Sequence, residues 1–485
     1  MIEQQSVNNT LKVIYMSSKP VTNNAHNESA VWEQDRRHVL HPFQHFSSFN
    51  VDGSLVIQNG AGCYLSDDSG KRYFDAIGGM WCTNIGLGRQ EMADAIAAQV
   101  TEMAYANPFV DMTNVPAARL AAKLAELAPG DLNHVLFSCG GSTANDLAYR
   151  IIRMYQGARG KPQKRHILSR LDSYHGCTYL AASIGGKPSD RVSEFDYITD
   201  WIHHLSSPDL YKAPKHIKSE ADLCDYLVDE MEQKIIELGA DNIAAFYAEP
   251  ILGSGGVIVP PEGYNKRTWE LCQKYDILYV ADEVVTAFGR LGHWFVSKDV
   301  FDIQPDIITC AKGLSSGYLP LGATIFSDKI YDVMANDDDR FFAAGQTYAG
   351  HPVSCAAALK NIEIMEREKL FDNVNSVGPY FEEQLRTLLD LPNVGDVRGT
   401  KFMMCVVNVR NKKTREFFPA EINISKRISD HCEELGLIVR PIMDLNVMSP
   451  PLTMTRDDVD FVVATLRKAI ELTMDDLQRE GALQA

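Results

Sequence analysis

The chain has 485 residues, 45% of them apolar and 23% charged, which suffices for one large core and a smaller companion domain. Its formal charge of −17 weighs against nucleic acid or an anionic membrane as the main partner, since both call for a basic face. No apolar run reaches the ~18 residues of a membrane span, and the start MIEQQSVNNTL has no basic stretch leading into an apolar one, so a cytoplasmic location is expected.

Residues 1 to about 30 are polar and rich in Asn, which predicts an arm that is mobile or ordered by a partner. From Ser54 to Phe74, alternating apolar residues around DDSGKRYF predict a hairpin. Between Glu91 and Leu127, MADAIAAQV and AARLAAKLAEL repeat small and apolar residues at helical spacing. The middle then alternates: HVLFS, a helix from Asn145 to Tyr155, KRHILS, a helix near Tyr226 to Leu238, IAAFYAEPI, a helix near Tyr264 to Tyr275, ILYVADEV, DIITCAK and LGATIFS. Such alternation predicts an α/β fold with a mostly parallel sheet covered on both faces. After Ala349, helices from Pro352 to Glu368 and from Val377 to Leu389 lead into KFMMCVVNV, LIVRP and a terminal helix from Asp457 to Leu477. The expected division is an arm and joining segment over 1–75, a large α/β domain over 76–350 and a small α+β domain over 351–485. The ten cysteines stand singly, without CxxC pairs or zinc spacing, so reduced core thiols are expected and no metal site.

Chemistry concentrates at two strand ends. Lys312, in AKGLSSGYLPLGA, follows the run from Ile307 to Cys310, and Asp282 ends the run from Ile277 to Ala281. Adjacent strands would bring a cation and a carboxylate together where open α/β sheets bind ligands. The pair suits pyridoxal 5′-phosphate (PLP): the amine closes an imine with the aldehyde, and the carboxylate keeps the pyridine nitrogen protonated. FSCGGSTAND offers a phosphate cradle, in which Gly140 and Gly141 admit close backbone approach and Ser142 offers a hydroxyl and a helix cap. It is neither a P-loop nor a GxGxxG fingerprint. Tyr174, after HILS, can lay its ring against a flat cofactor, and Val284 shares a face with Asp282 while Glu283 points away. Taken singly, Tyr174 and Val284 read better as core residues. His175 reads as a structural hydrogen-bonding residue, because a freed Lys312 can carry the proton itself.

These segments, with GGMWCTNIGLG, AEPILGSGGVIVPPEGY, ADEVVTAFGRLG and GQTYAGHP in order, resemble the class III PLP-dependent aminotransferases, the group that includes the ω-transaminases. The resemblance runs from DRRHVLHPF to LIVRPIMDLNVMSPPL and implies PLP fold type I, with a mostly parallel seven-stranded sheet and a smaller α+β domain. It implies Lys312 as the imine lysine, Asp282 on the pyridine nitrogen, Tyr174 and Val284 on either side of the ring, and Gly141 and Ser142 at the phosphate. His175 and Glu249 join that pocket, Glu249 remaining open between pairing with a substrate-binding arginine and a structural role. Thr347 is implied to reach the phosphate from the second subunit of a homodimer, or of a dimer of dimers. Trp81 and Phe109 are implied as aromatic walls of the amine pocket, and Arg440 as the group that grips a substrate carboxylate. Where many members read Ser-Gly-Ser-Glu-Ala-Asn this chain reads GGSTAN, so Gly140 and Thr143 stand in place of a serine and a glutamate. The implied activity is amino transfer from a primary amine or ω-amino acid to a keto acid, pyruvate foremost. A decarboxylating or aminomutase relative would use the same lysine, and a non-catalytic PLP-binding protein is the alternative from another class.

Overall fold

A computed structural model describes residues 29–482. The expected arm lies almost wholly outside these residues. Seven strands form the central sheet in the order His134–Ser138, Gly322–Phe326, Ile307–Cys310, Leu278–Asp282, Ile243–Ala248, His166–Arg170 and Ile202–Leu205. Every residue of the four strands from Gly322–Phe326 to Ile243–Ala248 is buried, as a sheet with helices on both faces requires. Only Gly322–Phe326 runs antiparallel to its neighbours. The reason is length: residues 311–321 hold just the single turn Lys312–Leu314, too little for a helical crossover between parallel strands.

The strand His134–Ser138 is followed by the helix Gly141–Ala158 and then by His166–Arg170 far across the sheet. This jump leaves a crevice at the C-terminal strand ends. The helix begins four residues before the expected Asn145, directly at the glycine pair. The edge strand Ile202–Leu205 escaped the sequence reading, since His203 and His204 interrupt its apolar pattern.

A second sheet pairs Ile57–Ala61, Tyr64–Asp67 and Arg72–Asp75 with Leu437–Ile438, which lies parallel to Arg72–Asp75. The predicted hairpin is held by Asp67, which accepts from Ser69 N, Lys71 N and the Ser69 and Tyr73 hydroxyls at 2.7–3.0 Å. A third, antiparallel sheet has the order Val394–Thr400, Met403–Asn408, Leu445–Met448, Arg440–Ile442. It packs with the helices Leu370–Arg386 and Ile424–Glu434, on which the helix Arg456–Arg479 packs in turn. LIVRP therefore divides between two sheets, and the break at Val439 sets the position of Arg440. All ten cysteines are free thiols, but only seven are core residues: Cys177 is exposed, and Cys82 and Cys139 are half-buried. No helix among the described residues is long and apolar enough to cross a membrane.

The third sheet begins with a tight pairing. Gly399 has φ 118°, and a Cβ there would lie 2.1 Å from Met403 O. Gly399→Ala is expected to destabilise the protein by about 1–3 kcal/mol, measured as a lower midpoint in urea unfolding; an unchanged midpoint would mean that the strand relaxes freely.

Candidate active site

A cavity of about 1330 Å³ opens at the C-terminal strand ends. Lys312 enters it from the turn after Ile307–Cys310, with a left-handed φ of 44°. Gly313 fixes that turn, because a Cβ there would lie 2.4 Å from Asn84 Nδ2. Burial lowers the Lys312 pKa, and the carboxylates of Asp282 and Glu249 act against that shift. The side chain keeps a partial opening into the cavity. A partly desolvated amine of this kind carries more of the neutral, nucleophilic form near neutral pH.

Asp282 ends its strand opposite Thr309. Its Oδ2 accepts from His175 Nδ1 and Asn145 Nδ2, each at 2.8 Å, and its Oδ1 from Val284 N at 3.1 Å. Asn145 also donates to His175 O at 2.7 Å and accepts from Thr309 Oγ1 at 2.9 Å. Sequence reasoning missed Asn145. The available signal was its spacing: four residues after Gly141 on a helix, it shares the face turned to the sheet.

The expected cap is corrected. Gly140 is the helix N-cap without a side-chain bond, and Ser142 Oγ instead accepts from Cys177 N at 3.1 Å. Ser142 sits already inside the first turn, where its hydroxyl faces the 174–177 loop. A Cβ on Gly141 would lie 2.9 Å from the Val284 methyls, and one on Gly176 2.5 Å from Ser142 Oγ. The two turns thus approach backbone to backbone and leave helix amides beside open space.

Glu249 is buried, which raises its pKa, and both its oxygens are taken, by Tyr174 N and Gly253 N at 2.9 Å. It ties the Tyr174 loop to the sheet, which favours the structural alternative. Desolvation pushes the Tyr174 phenol up to about 12. Trp81, buried with φ 63°, and Arg440 complete the wall, Arg440 Nη1 donating to Met80 Sδ at 2.7 Å. Lys312, Asp282, Gly141, Ser142, Tyr174, His175, Glu249, Val284, Trp81 and Arg440 therefore surround one cavity. Phe109 and Thr347 lie outside its lining, both exposed, with Tyr105 Oη donating to Thr347 O at 2.8 Å. Arg290 is fully buried outside the cavity lining and donates to Phe402 O, Pro450 O and Asn84 Oδ1.

Residues 47–470 match the aminotransferase class-III family. The chain belongs to the class-III aminotransferases. The putrescine–pyruvate aminotransferase of Pseudomonas aeruginosa is 38% identical over 439 residues, spanning 90% of this chain and 95% of its own. Among solved structures, an (S)-enantioselective ω-transaminase from Thermomicrobium roseum shares 38% identity at a TM-score of 0.87, over 92% of this chain and 98% of its own. The ω-transaminase of Pseudomonas jessenii in complex with PMP shares 34% at 0.89, over 92% and 99%. This class-III enzyme is thus a transferase of PLP fold type I.

Glu283, beside Asp282 in sequence, faces the opposite way. It accepts from Val296 N, Ser297 N, Ser297 Oγ and Thr286 Oγ1 at 2.5–3.1 Å, holding the start of the helix Val296–Asp299. Glu283→Ala is expected to lower stability by roughly 2–3 kcal/mol through stranded buried donors while the folded fraction keeps its turnover number. Thermal unfolding alongside active-site-normalised kinetics checks this; a selective loss of turnover would place Glu283 in the chemistry.

Proposed function

We propose that this aminotransferase is a cytoplasmic, homodimeric ω-transaminase that uses PLP to move an amino group from a primary amine or ω-amino acid to pyruvate. One observation carries the reading: adjacent strand ends aim Lys312 and Asp282 into the cavity that the glycine-rich start of the helix Gly141–Ala158 also opens on.

The residues fit the cofactor. Gly141 and Ser142 sit where a side chain on the glycine would clash, and the helix amides there suit a phosphate. Asp282 would hold the pyridine nitrogen, and Tyr174 and Val284 would flank the ring. When bound, PLP supplies an aldehyde that takes up the amino group and a ring that draws electrons from the reacting carbon. His175 and Asn145 orient the Asp282 carboxylate, because both donors converge on one oxygen and leave no rotational freedom. Lys312 Nζ, once free, would carry the proton from the donor carbon to the cofactor, and in the opposite sense in the second half reaction, a task that its lowered pKa favours. Trp81 bounds the donor pocket. Arg440 grips the keto-acid carboxylate with two parallel hydrogen bonds.

Support for the dimer comes from an exposed apolar surface around Thr347, where Val110 is 94% and Phe341 76% exposed and Tyr105 and Tyr348 stack edge to face. A monomer seldom leaves such a patch in water. Thr347 and Phe109 lie outside the lining of their own cavity, so in a dimer they would be free to serve a second copy's site.

A panel of amine donors with pyruvate, read out as alanine, tests the function; amine consumption with carbon dioxide release and no alanine would point to a decarboxylase instead. Lys312→Ala is expected to abolish turnover, and Asp282→Asn to slow the chemical step by orders of magnitude in single-turnover measurements. Arg440→Ala should lose about tenfold to a hundredfold in the pyruvate half reaction, the worth of one charge-assisted pair. A donor without a carboxylate should be much less affected, and equal losses in stopped-flow traces of both halves would make Arg440 structural.

A further inference from the structure

Asn84 and Arg290 form a buried polar pair behind the cavity wall, 1% and 0% exposed, and neither lines the cavity itself. Arg290 Nη2 donates to Asn84 Oδ1 at 2.8 Å. Its Nη1 donates to Phe402 O at 3.2 Å and to Pro450 O. Both carbonyls belong to the third sheet, Phe402 in the turn before Met403–Asn408 and Pro450 just after Leu445–Met448. Among the described residues, every hydrogen-bond acceptor of this guanidinium is thus a neutral oxygen. A buried cation held without a contacting carboxylate is costly, which directs attention to the geometry that it enforces.

That geometry fixes the Asn84 amide. Its Oδ1 is taken by a group that can only donate, so Nδ2 must face the other way. There Nδ2 donates to Phe288 O at 2.7 Å and presses on the turn Lys312–Leu314, since a Cβ on Gly313 would lie 2.4 Å from it. The next residue reaches the same turn by a second route. Ile85 N donates to Ser316 Oγ at 3.2 Å, and Ser316 Oγ donates to Asn361 Oδ1 at 2.6 Å. Asn361 Nδ2 then donates to Gly313 O at 2.8 Å and Leu314 O at 2.9 Å. The turn is gripped from both sides, by Asn84 against the Gly313 Cα and by Asn361 on two carbonyls.

We propose that Asn84 and Arg290 are positioning residues for Lys312: the guanidinium holds the amide in one orientation, the amide backs the turn, and Nζ is thereby kept in line with the reacting carbon in both half reactions. This rests on Lys312 as the imine-forming and proton-carrying group. Because the same guanidinium binds Phe402 O and Pro450 O, the placement of the third sheet against the lysine turn is set at this one point.

The test uses the PLP-loaded enzyme and the variants Asn84→Ala, Arg290→Lys, Lys312→Ala and the double variant Lys312→Ala with Asn84→Ala. Stopped flow follows both half reactions, with butylamine and with pyruvate, and butylamine deuterated at its amino-bearing carbon gives the isotope effect on proton transfer. Circular dichroism of the cofactor's visible band reports its setting in the site without turnover. Asn84→Ala should lower the limiting rate of both half reactions by about tenfold to a hundredfold, the order that a small misplacement of a reacting group costs, with KM little changed. Its isotope effect should rise and its visible ellipticity fall at unchanged PLP content, and Arg290→Lys should show the same pattern more weakly. In Lys312→Ala, ethylamine in solution should restore part of the rate, and adding Asn84→Ala should leave that rescued rate unchanged, because no tethered amine remains to be positioned. An equal loss in the rescued background would make Asn84 merely structural and overturns the proposal. Unchanged limiting rates, isotope effect and visible band for Asn84→Ala overturn it too, and where ethylamine restores no rate, these three readouts decide. If Lys312→Ala turns over without ethylamine, the role of Lys312 fails and the proposal fails with it.

Discussion

The arrangement depends on one buried carboxylate. Asp282 ends a strand whose every residue is buried, and a charge there persists only if donors replace the water it has lost. His175 and Asn145 supply them on one oxygen and Val284 N on the other. Because Asn145 also bonds to His175 O and Thr309 Oγ1, satisfying the carboxylate clamps the helix Gly141–Ala158, the 174–177 loop and two strands to each other. Three of the segments that line the cavity therefore have their positions set by a single desolvated charge.

A second constraint acts on Lys312. The connection after Ile307–Cys310 is too short to cross over, so the chain turns back through a left-handed residue and runs antiparallel. Left-handed backbone is unfavourable for a lysine, and the surrounding packing, with Asn84 against Gly313, must hold it. The amine is thereby presented at the strand end with little freedom, close to the carboxylates of Asp282 and Glu249. Opposite it, Arg440 belongs to the third sheet, reached where the chain leaves one sheet at Ile438 and enters another at Arg440. Arg440 and Lys312 thus reach the cavity from different layers of the molecule.

Much of this was legible in the sequence, because it depends on short-range pattern. Apolar runs ending in Asp282 and before Lys312 marked two adjacent strands, and two-residue alternation separated Asp282 from Glu283, as the helix cap held by Glu283 bears out; the helix after the glycine pair was read four residues short of its start. What failed was longer in range or weaker in pattern. Ser142 reads as a cap, yet its hydroxyl is claimed by Cys177 N, 35 positions away. Cys82 and Cys139 read as core thiols, but folding leaves them half-buried on the cavity wall.

The sequence by itself determined the strand-and-helix alternation, which follows from periodicity along the chain, and its ordered motifs carried the resemblance to the class-III aminotransferases. Only the tertiary structure decided which donors surround Asp282 and that Glu249 is held by two backbone amides. Hydrogen-bond partners and desolvation are properties of three-dimensional neighbours, and a chain read in one dimension carries no record of which neighbour arrives first.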